Sequence, residues 1–509
     1  MKKRKTLFCG ILAGMLALSC FPAVPAAADD GEIVLRVANW EEYIDEGGWE
    51  DDEVIDLESG DIFGENPLVE DFEEWYYEEY GQKVRVEYST FGTNEDLYNM
   101  LTLGDVFDLV CPSEYMIMKL IAEDKAVPLS EGFFDEDNEL NYYINGVSPF
   151  IRDIFETHEI GGEYWDKYAA GYMWGVTGFV YNPEIVTREE ASSWHLFEKE
   201  GLHRQITVKD NVRDTYFAAL GALKSDLLLS EDFRNAEDYH ERLLEEMNDT
   251  SPEVMNEVQE YLQSIKDNLY SFETDSGISD MVSGKVAANF QWSGDGVFIL
   301  DLADEVDYYL EYAVPEEVTN IYFDGWVMLK AGIDGDEEKQ QAAEAFINFI
   351  SRPDNVIRNM YYVGYTSVIA GAEDGRIFEY ADWCYGAEED EEDTVDYSLA
   401  HFFTEDEEEA EDFVLTVPED QLRRQMFSQY PPEEVLDRAC IMVYFGPEAN
   451  EAANQMWIKV RCYNIADIPA WAWIIAAVVV VILAVFLIRS KKKTSRNKTG
   501  RFTARVREE

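Results

Sequence analysis

Histidine and cysteine are scarce in this chain, with five and six copies among 509 residues. The five histidines (His158, His195, His203, His240 and His401) are scattered, and no cysteine pair has metal-ligand spacing, so neither a zinc site nor any other metal or cofactor is expected. Cys9 and Cys20 fall in an apolar leader, which leaves Cys111, Cys384, Cys440 and Cys462. A bridge such as Cys384–Cys440 is open on sequence alone. The G-x-S-x-G, phosphate-loop and H-E-x-x-H patterns are missing too, so those nucleophilic, nucleotide and metallopeptidase chemistries have no foothold. Basic residues are few: 40 Lys and Arg face 105 Asp and Glu, a formal net charge of −65. Such a surface repels nucleic acid and anionic lipid and concentrates cations. Runs such as "GAEEDEEDTVD" and "TEDEEEAEDF" read mainly as solvated loops.

What is present begins with core-forming material, 47% of the residues, enough for two or three domains. Residues 1–28 have a basic start, an apolar stretch and a small-residue cleavage site, the pattern of a secretory signal peptide. Residues 468–488 form an uncharged apolar run flanked by Trp471 and Trp473 on one side and by Arg489, Lys491, Lys492 and Lys493 on the other. That pattern predicts one C-terminal transmembrane helix with residues 489–509 as a basic cytoplasmic tail, hence an exported protein held at the outer face of the cytoplasmic membrane.

Between these ends the chain alternates strand and helix. "EIVLRVAN", "KVRVEYSTF" and "VFDLVCP" read as strands, with "LVEDFEEWYYEEYG", "NEDLYNMLTLG" and "YMIMKLIAED" as helices. The alternation recurs in "RQITVKD", "VRDTYFAALGALK", "KVAANFQW", "IYFDGWVML" and "EEKQQAAEAFINFISR". Apolar strands in that order predict an α/β fold with a parallel sheet covered on both faces. Two lobes fit the length better than one sheet. Residues 49–66 and about 378–434 stand outside the alternation, the second being long and acidic.

In open α/β sheets, ligands sit beyond the carboxyl ends of the strands. Here those ends repeat one chemistry: Trp40, Glu41 and Tyr43; Ser113, Glu114 and Tyr115; Trp292; Tyr322 and Asp324; and Tyr365 after a helix. Aromatic faces with carboxylates suit a desolvated organic cation, each cation–π contact contributing about 0.5–2 kcal/mol and each charge-assisted hydrogen bond about 1.5–3 kcal/mol. Arg, which would serve an anionic ligand, is missing from these ends. Asp214 sits in the first turn of a helix behind Asp210 or Asn211, where the helix dipole alone accounts for an acid.

The segments "ANWEEYI", "YSTFGTNEDLY", "FDLVCPSEYMI", "YMWGVTGFVYN", "VRDTYFAAL", "ANFQWSGD", "YFDGW" and "VGYTS" occur in an order that resembles the spermidine/putrescine-binding proteins of bacterial polyamine ABC transporters. The resemblance implies a two-lobed periplasmic-binding-protein fold (type II). It places lobe 1 at residues 29–165 and 325–415 and lobe 2 at 166–324 and 416–462. It implies an aromatic box of Trp40, Tyr43, Tyr115, Trp292, Tyr322 and Tyr365, a polar contact from Ser113, and amine-binding acids at Asp214 and Asp324. Asp214 thereby becomes a ligand residue as well as a helix-turn acid. Tyr322 stands where the best-known members have Trp, and Asn211 where some have a second acid. Glu41 and Glu114 replace small hydroxyl residues. Glu41 is included among the expected ligand residues, while whether Glu41 and Glu114 face the ligand is left to the structure. The implied partners are a polyamine, permease subunits and a separate ATPase, with the binding protein monomeric and no bond made or broken. Rival readings keep the fold with a sugar or cationic amino acid as ligand, or make Glu41 and Glu42 a glycosidase pair. Neighbours on an extended segment point to opposite sides, which weighs against the pair.

Overall fold

The computed structural model describes residues 31–50, 53–157, 159–160, 162–371, 375–388 and 391–462. The described part of Met1–Glu451 is one compact unit and that of Ala452–Glu509 a second. Residues 1–28 and 468–509, which hold the expected signal peptide, membrane helix and tail, lie outside the described residues.

Strand β1 (Ile33–Trp40) alternates between buried and half-buried positions over its first half, as aliphatic residues on a sheet under helices should. Helix α1 (Leu68–Tyr80) buries Leu68, Phe72 and Tyr76, four residues apart, and stops at Gly81, whose φ of 70° suits a residue without Cβ. It leads to β2 (Val84–Phe91), parallel to β1 from Ile33↔Val84 to Trp40↔Phe91. Helix α2 (Asn94–Leu103) is capped by the Thr93 hydroxyl, which accepts from the Asp96 N–H. It precedes β3 (Leu109–Val110), on the other side of β1 and also parallel to it. Helix α3 (Glu114–Ala122) follows.

The chain then runs the full width of the molecule in β4 (Ala169–Tyr181), with every residue buried. Strand β5 (Ile206–Lys209), helix α4 (Val212–Leu223), β6 (Ser271–Glu273), β7 (Ala288–Trp292) and helix α5 (Ser293–Glu305) build the second half. The chain returns in β8 (Thr319–Leu329), also buried throughout. The strand order is β2-β1-β3-β8-β4-β7-β5-β6. β8 and β4 are antiparallel from Ile321↔Val176 to Val327↔Ala169, with an irregularity between Asp324 and Gly325. One end of β8 pairs with β3, while the far end of β4 pairs with β7. Two parallel groups, β2-β1-β3 and β7-β5-β6, are thus joined through one antiparallel crossing pair.

The α/β expectation and most elements hold. β4 is the omission: its glycines at 171, 175 and 178 interrupt an apolar run that has no period of two. The acidic stretch is more than a loop. It contains the hairpin Thr394–Ser398 with Val414–Pro418, and its Phe402 ring stacks on Trp174 of β4 at 5.6 Å. Its charge-rich runs are mostly exposed. Cys111, Cys440 and Cys462 are free thiols, and with Cys440 free no Cys384–Cys440 bridge forms.

The expected fold class needs one correction. Among the described residues, no helix is long and apolar enough to cross a membrane, so the transmembrane helix added to the expected fold class has no counterpart there, and what holds is the two-lobed α/β fold. The last described helix, Pro447–Arg461, has 15 residues, whereas about 20 apolar ones span a bilayer core. It also carries Glu448, Glu451, Lys459 and Arg461, charges that a hydrocarbon environment would penalise.

The turn after β1 is held by a buried ion network. Arg358 donates from Nε to Asp45 Oδ2 at 2.8 Å, from Nη1 to Asp71 Oδ2 at 2.7 Å and from Nη2 to the Asn66 carbonyl at 2.7 Å. Asp45 also accepts from Trp49 Nε1 and the Gly47 N–H. Arg358→Met should cost about 3–5 kcal/mol in urea unfolding, because it strands the Asp45 charge in the interior. A loss below about 1 kcal/mol would show that the network does not hold this turn.

Candidate functional site

A cavity of about 440 Å³ lies where the carboxyl ends of the parallel strands from both halves converge. All ten residues expected from the sequence line it. Trp40 ends β1, with Glu41 and Tyr43 in the turn beyond; Ser113 and Tyr115 frame the start of α3; Asp214 lies in the first turn of α4. Trp292 ends β7, Tyr322 and Asp324 project from β8, and Tyr365 follows the helix Pro353–Val363. Among the described residues, no Lys or Arg lines the cavity.

Asp324 sits at the irregularity in β8, where the backbone also bridges to Ser113. It is 5% exposed. Ser113 Oγ donates to Oδ1 and the Tyr43 hydroxyl to Oδ2, both at 2.8 Å. Tyr43 is fixed in turn: its carbonyl accepts from the Tyr172 hydroxyl at 2.7 Å, and its ring meets the Tyr365 ring edge-on at 4.9 Å. Burial pushes the Asp324 carboxyl up to about 6; the two hydroxyl donors pull the other way, and the nearby Asp214 charge adds to the rise.

Asp214 combines both readings of it. The Asn211 side-chain Oδ1 caps α4 by accepting from the N–H groups of Arg213 and Asp214, and the Asp214 side chain lines the cavity. Its Oδ1 accepts from Trp292 Nε1 at 3.2 Å. Burial raises this carboxyl to about 6, opposed by the Trp292 bond and by Lys209. Lys209 Nζ stands 3.8 Å from the centre of the Trp292 ring and donates to the Thr274 carbonyl at 2.9 Å. The indole is therefore held by a cation on its face and by a carboxylate at its edge.

Tyr365 donates its hydroxyl to Asp295 Oδ1 at 2.8 Å. Its ring fits only because residue 294 is glycine, where a Cβ would come within 2.3 Å of the ring. Gly175 likewise leaves room for the Tyr322 hydroxyl, 2.4 Å from where a Cβ would stand. Tyr115 is braced by the Arg213 guanidinium, 4.5 Å from the ring centre, and accepts from Asn94 Nδ2 at 3.0 Å. Trp40 packs on Phe91 at 4.9 Å. Glu41 and Glu42 are exposed at the rim, with Glu42 at φ 53°.

Glu114 lines the cavity and is fully buried. Sequence reasoning missed Asp295, Lys209 and Arg213. Asp295 had a signal: it stands three residues beyond Trp292, in the first turn of a helix that starts at a strand end. Lys209 and Arg213 act from behind the lining, where only packing reveals them.

Because both carboxyls rise from about 3.8 to about 6, the folded, ligand-free protein binds more protons than the unfolded chain between those values. Its stability should therefore fall as pH climbs from about 4 to 6, by up to about 3 kcal/mol per carboxyl. Asp324→Asn should gain on the wild type over that window in urea melts taken at each pH. A pH-independent difference would remove Asp324 from the titrating set.

The family model of bacterial extracellular solute-binding proteins matches residues 68–383. The putrescine-binding periplasmic protein SpuD of Pseudomonas aeruginosa is 25% identical over 359 residues, which cover 69% of this chain and 80% of that one. PotF of Escherichia coli, also a putrescine-binding periplasmic protein, is 25% identical over 297 residues, covering 56% and 71%. Among solved structures, the spermidine/putrescine ABC transporter substrate-binding protein PotD of Streptococcus pneumoniae superposes with a TM-score of 0.53 at 21% identity, covering 84% of this chain and 98% of that one. A putative spermidine/putrescine ABC transporter protein from Listeria monocytogenes gives 0.55 at 20% identity, covering 85% and 99%. The structural likeness at that identity establishes the fold, and the family match covers more than half the chain: this protein belongs to the bacterial extracellular solute-binding proteins.

Proposed function

We propose that this chain captures a polyamine, spermidine or putrescine, outside the cytoplasm and delivers it to the permease of an ABC transporter whose ATPase is a separate chain. The observation that carries this reading is a cavity walled by aromatic rings, with buried carboxyls and no basic side chain. Polyamines alternate ammonium groups with methylene spacers. The rings of Trp40, Tyr43, Tyr115, Trp292, Tyr322 and Tyr365 would enclose the methylenes and attract the cations. Asp324 and Asp214, on opposite halves, would fix two nitrogens, and Ser113 would hold Asp324 in place. Glu41 would meet the ligand at the rim.

The relatives SpuD and PotF are putrescine-binding periplasmic proteins, which supports the same ligand class. The crossing strands β4 and β8 offer the hinge on which lobe 1 (29–165 with 325–415) would close on lobe 2 (166–324 with 416–462). The protein would act as a monomer, and its chemistry is binding alone. An α-amino acid ligand would need a cation for its carboxylate, which the cavity wall does not supply.

Calorimetry on the full-length chain with putrescine, spermidine, arginine and a sugar panel tests this. Binding of at least one polyamine is expected, and heat from neither would sink the proposal. Asp324→Asn should weaken polyamine binding by about tenfold or more, since it removes a desolvated charge partner. An unchanged affinity would exclude Asp324 from the contact.

A further inference from the structure

Glu114 is the cavity residue whose surroundings the polyamine reading leaves unused. It opens α3, between Ser113 and Tyr115, and none of its surface is exposed. Oε2 accepts from the Phe323 N–H at 3.3 Å, whereas Oε1 is buried with no hydrogen-bond partner. A buried polar atom left unpaired is costly, and one that lines a ligand cavity finds its partner in the ligand.

Its position also couples it to Asp324. Ser113 and Asp324 are bridged through backbone and side chain, and Glu114, the first residue of α3 after Ser113, accepts from the N–H of Phe323, the residue before Asp324. Both carboxyl residues line the same cavity, and the Asp324 charge acts on Glu114. The charged groups acting on Glu114 are Asp324 on β8 and Arg213 on α4; those on Asp324 are Asp214, with the Tyr43 and Ser113 hydroxyls. Arg213 is committed elsewhere in part: it donates to the Val443 carbonyl at 2.7 Å and stacks on Tyr115 and Phe445.

We infer that Glu114 and Asp324 form a carboxyl pair that carries a single charge when the cavity is empty, receives one ligand ammonium, and releases the Glu114 proton as that ammonium arrives. This rests on the polyamine reading and adds a contact and a linkage to it. The balance is simple: a neutral Glu114 carboxyl plus a cationic ammonium gives a carboxylate–ammonium contact and one proton passed to bulk buffer. Burial, aided by Asp324, pushes the Glu114 carboxyl up to about 8, while backbone N–H groups and Arg213 oppose the rise; it is therefore largely neutral at pH 7 in the empty protein. An ammonium at Oε1 reverses the balance, because opposite charge at contact favours the ionised form.

The test is calorimetry of the full-length chain with putrescine and with spermidine at pH 7, in two buffers of different ionisation enthalpy. Wild type should release on the order of one proton per ligand, and its affinity should rise by roughly fivefold from pH 7 to 8 as the pair loses that proton beforehand. Glu114→Gln keeps the acceptor for the Phe323 N–H and should bind with no buffer-dependent heat and a flat affinity over this range. Glu114→Ser, a second variant that removes the carboxyl, should behave alike if it melts at the wild-type temperature. Wild-type binding without proton release, or release that persists in both variants, would overturn the pair and leave the polyamine reading standing. No wild-type binding of either polyamine would overturn both.

Discussion

Everything in the cleft depends on the antiparallel contact of two buried strands, Ala169–Tyr181 and Thr319–Leu329. Each belongs to both halves of the molecule, since one end of the pair continues into β3 and the other into β7. A sheet of hydrogen-bonded strands has little freedom to shift register, so the same residues face each other at the crossing. The irregularity between Asp324 and Gly325 falls at that crossing and sets Asp324 at the cavity wall. Tyr322, two residues earlier on the same strand, faces the same side by the period of the strand.

The electrostatics follow from this placement. The crossing lies deep, so the acids that face the cavity there lose hydration, and burial heads the causes of the rise at Asp324, Asp214 and Glu114. A fold that retained these groups for stability alone would carry a penalty that the hydroxyl, indole and backbone donors offset only in part. On the proposed function a desolvated cation would supply the rest. The basic residues near the cavity support this division of labour: Lys209 backs the Trp292 ring and Arg213 braces Tyr115, so both stiffen aromatic walls from behind without neutralising the lining. The negative field of the whole chain works in the same direction at longer range, drawing cations toward the cleft.

The legible parts of the fold were those governed by short-range pattern. Helix α1 announced itself by apolar residues four apart and a glycine stop, and β1 by its aliphatic run. β4 did not, because an all-buried strand has no alternation, and its glycines answer to contacts far along the chain, such as Gly175 with Tyr322. The helix expected from the apolar run at residues 468–488 lies outside the described residues, and among those no helix is long and apolar enough to cross a membrane. Two charged runs in the acidic stretch near residues 378–434 looked like solvated loop, yet between them Phe402 stacks on Trp174 of β4.

By itself, the sequence determined the α/β class and the aromatic and acidic character of the strand ends. These are matters of composition and local period, which the chain carries wherever it folds, whereas Asp214 came to the site only through the family resemblance. Only the tertiary structure decided how those residues work together. The sharing of Asp324 by Tyr43 and Ser113 and the Trp292 indole on Asp214 join residues up to 281 positions apart. So does the burial that raises the acids, and the unpaired oxygen of Glu114 beside Phe323 and Asp324. A carboxyl's charge depends on the dielectric and the partners around it, and both are properties of the packed molecule.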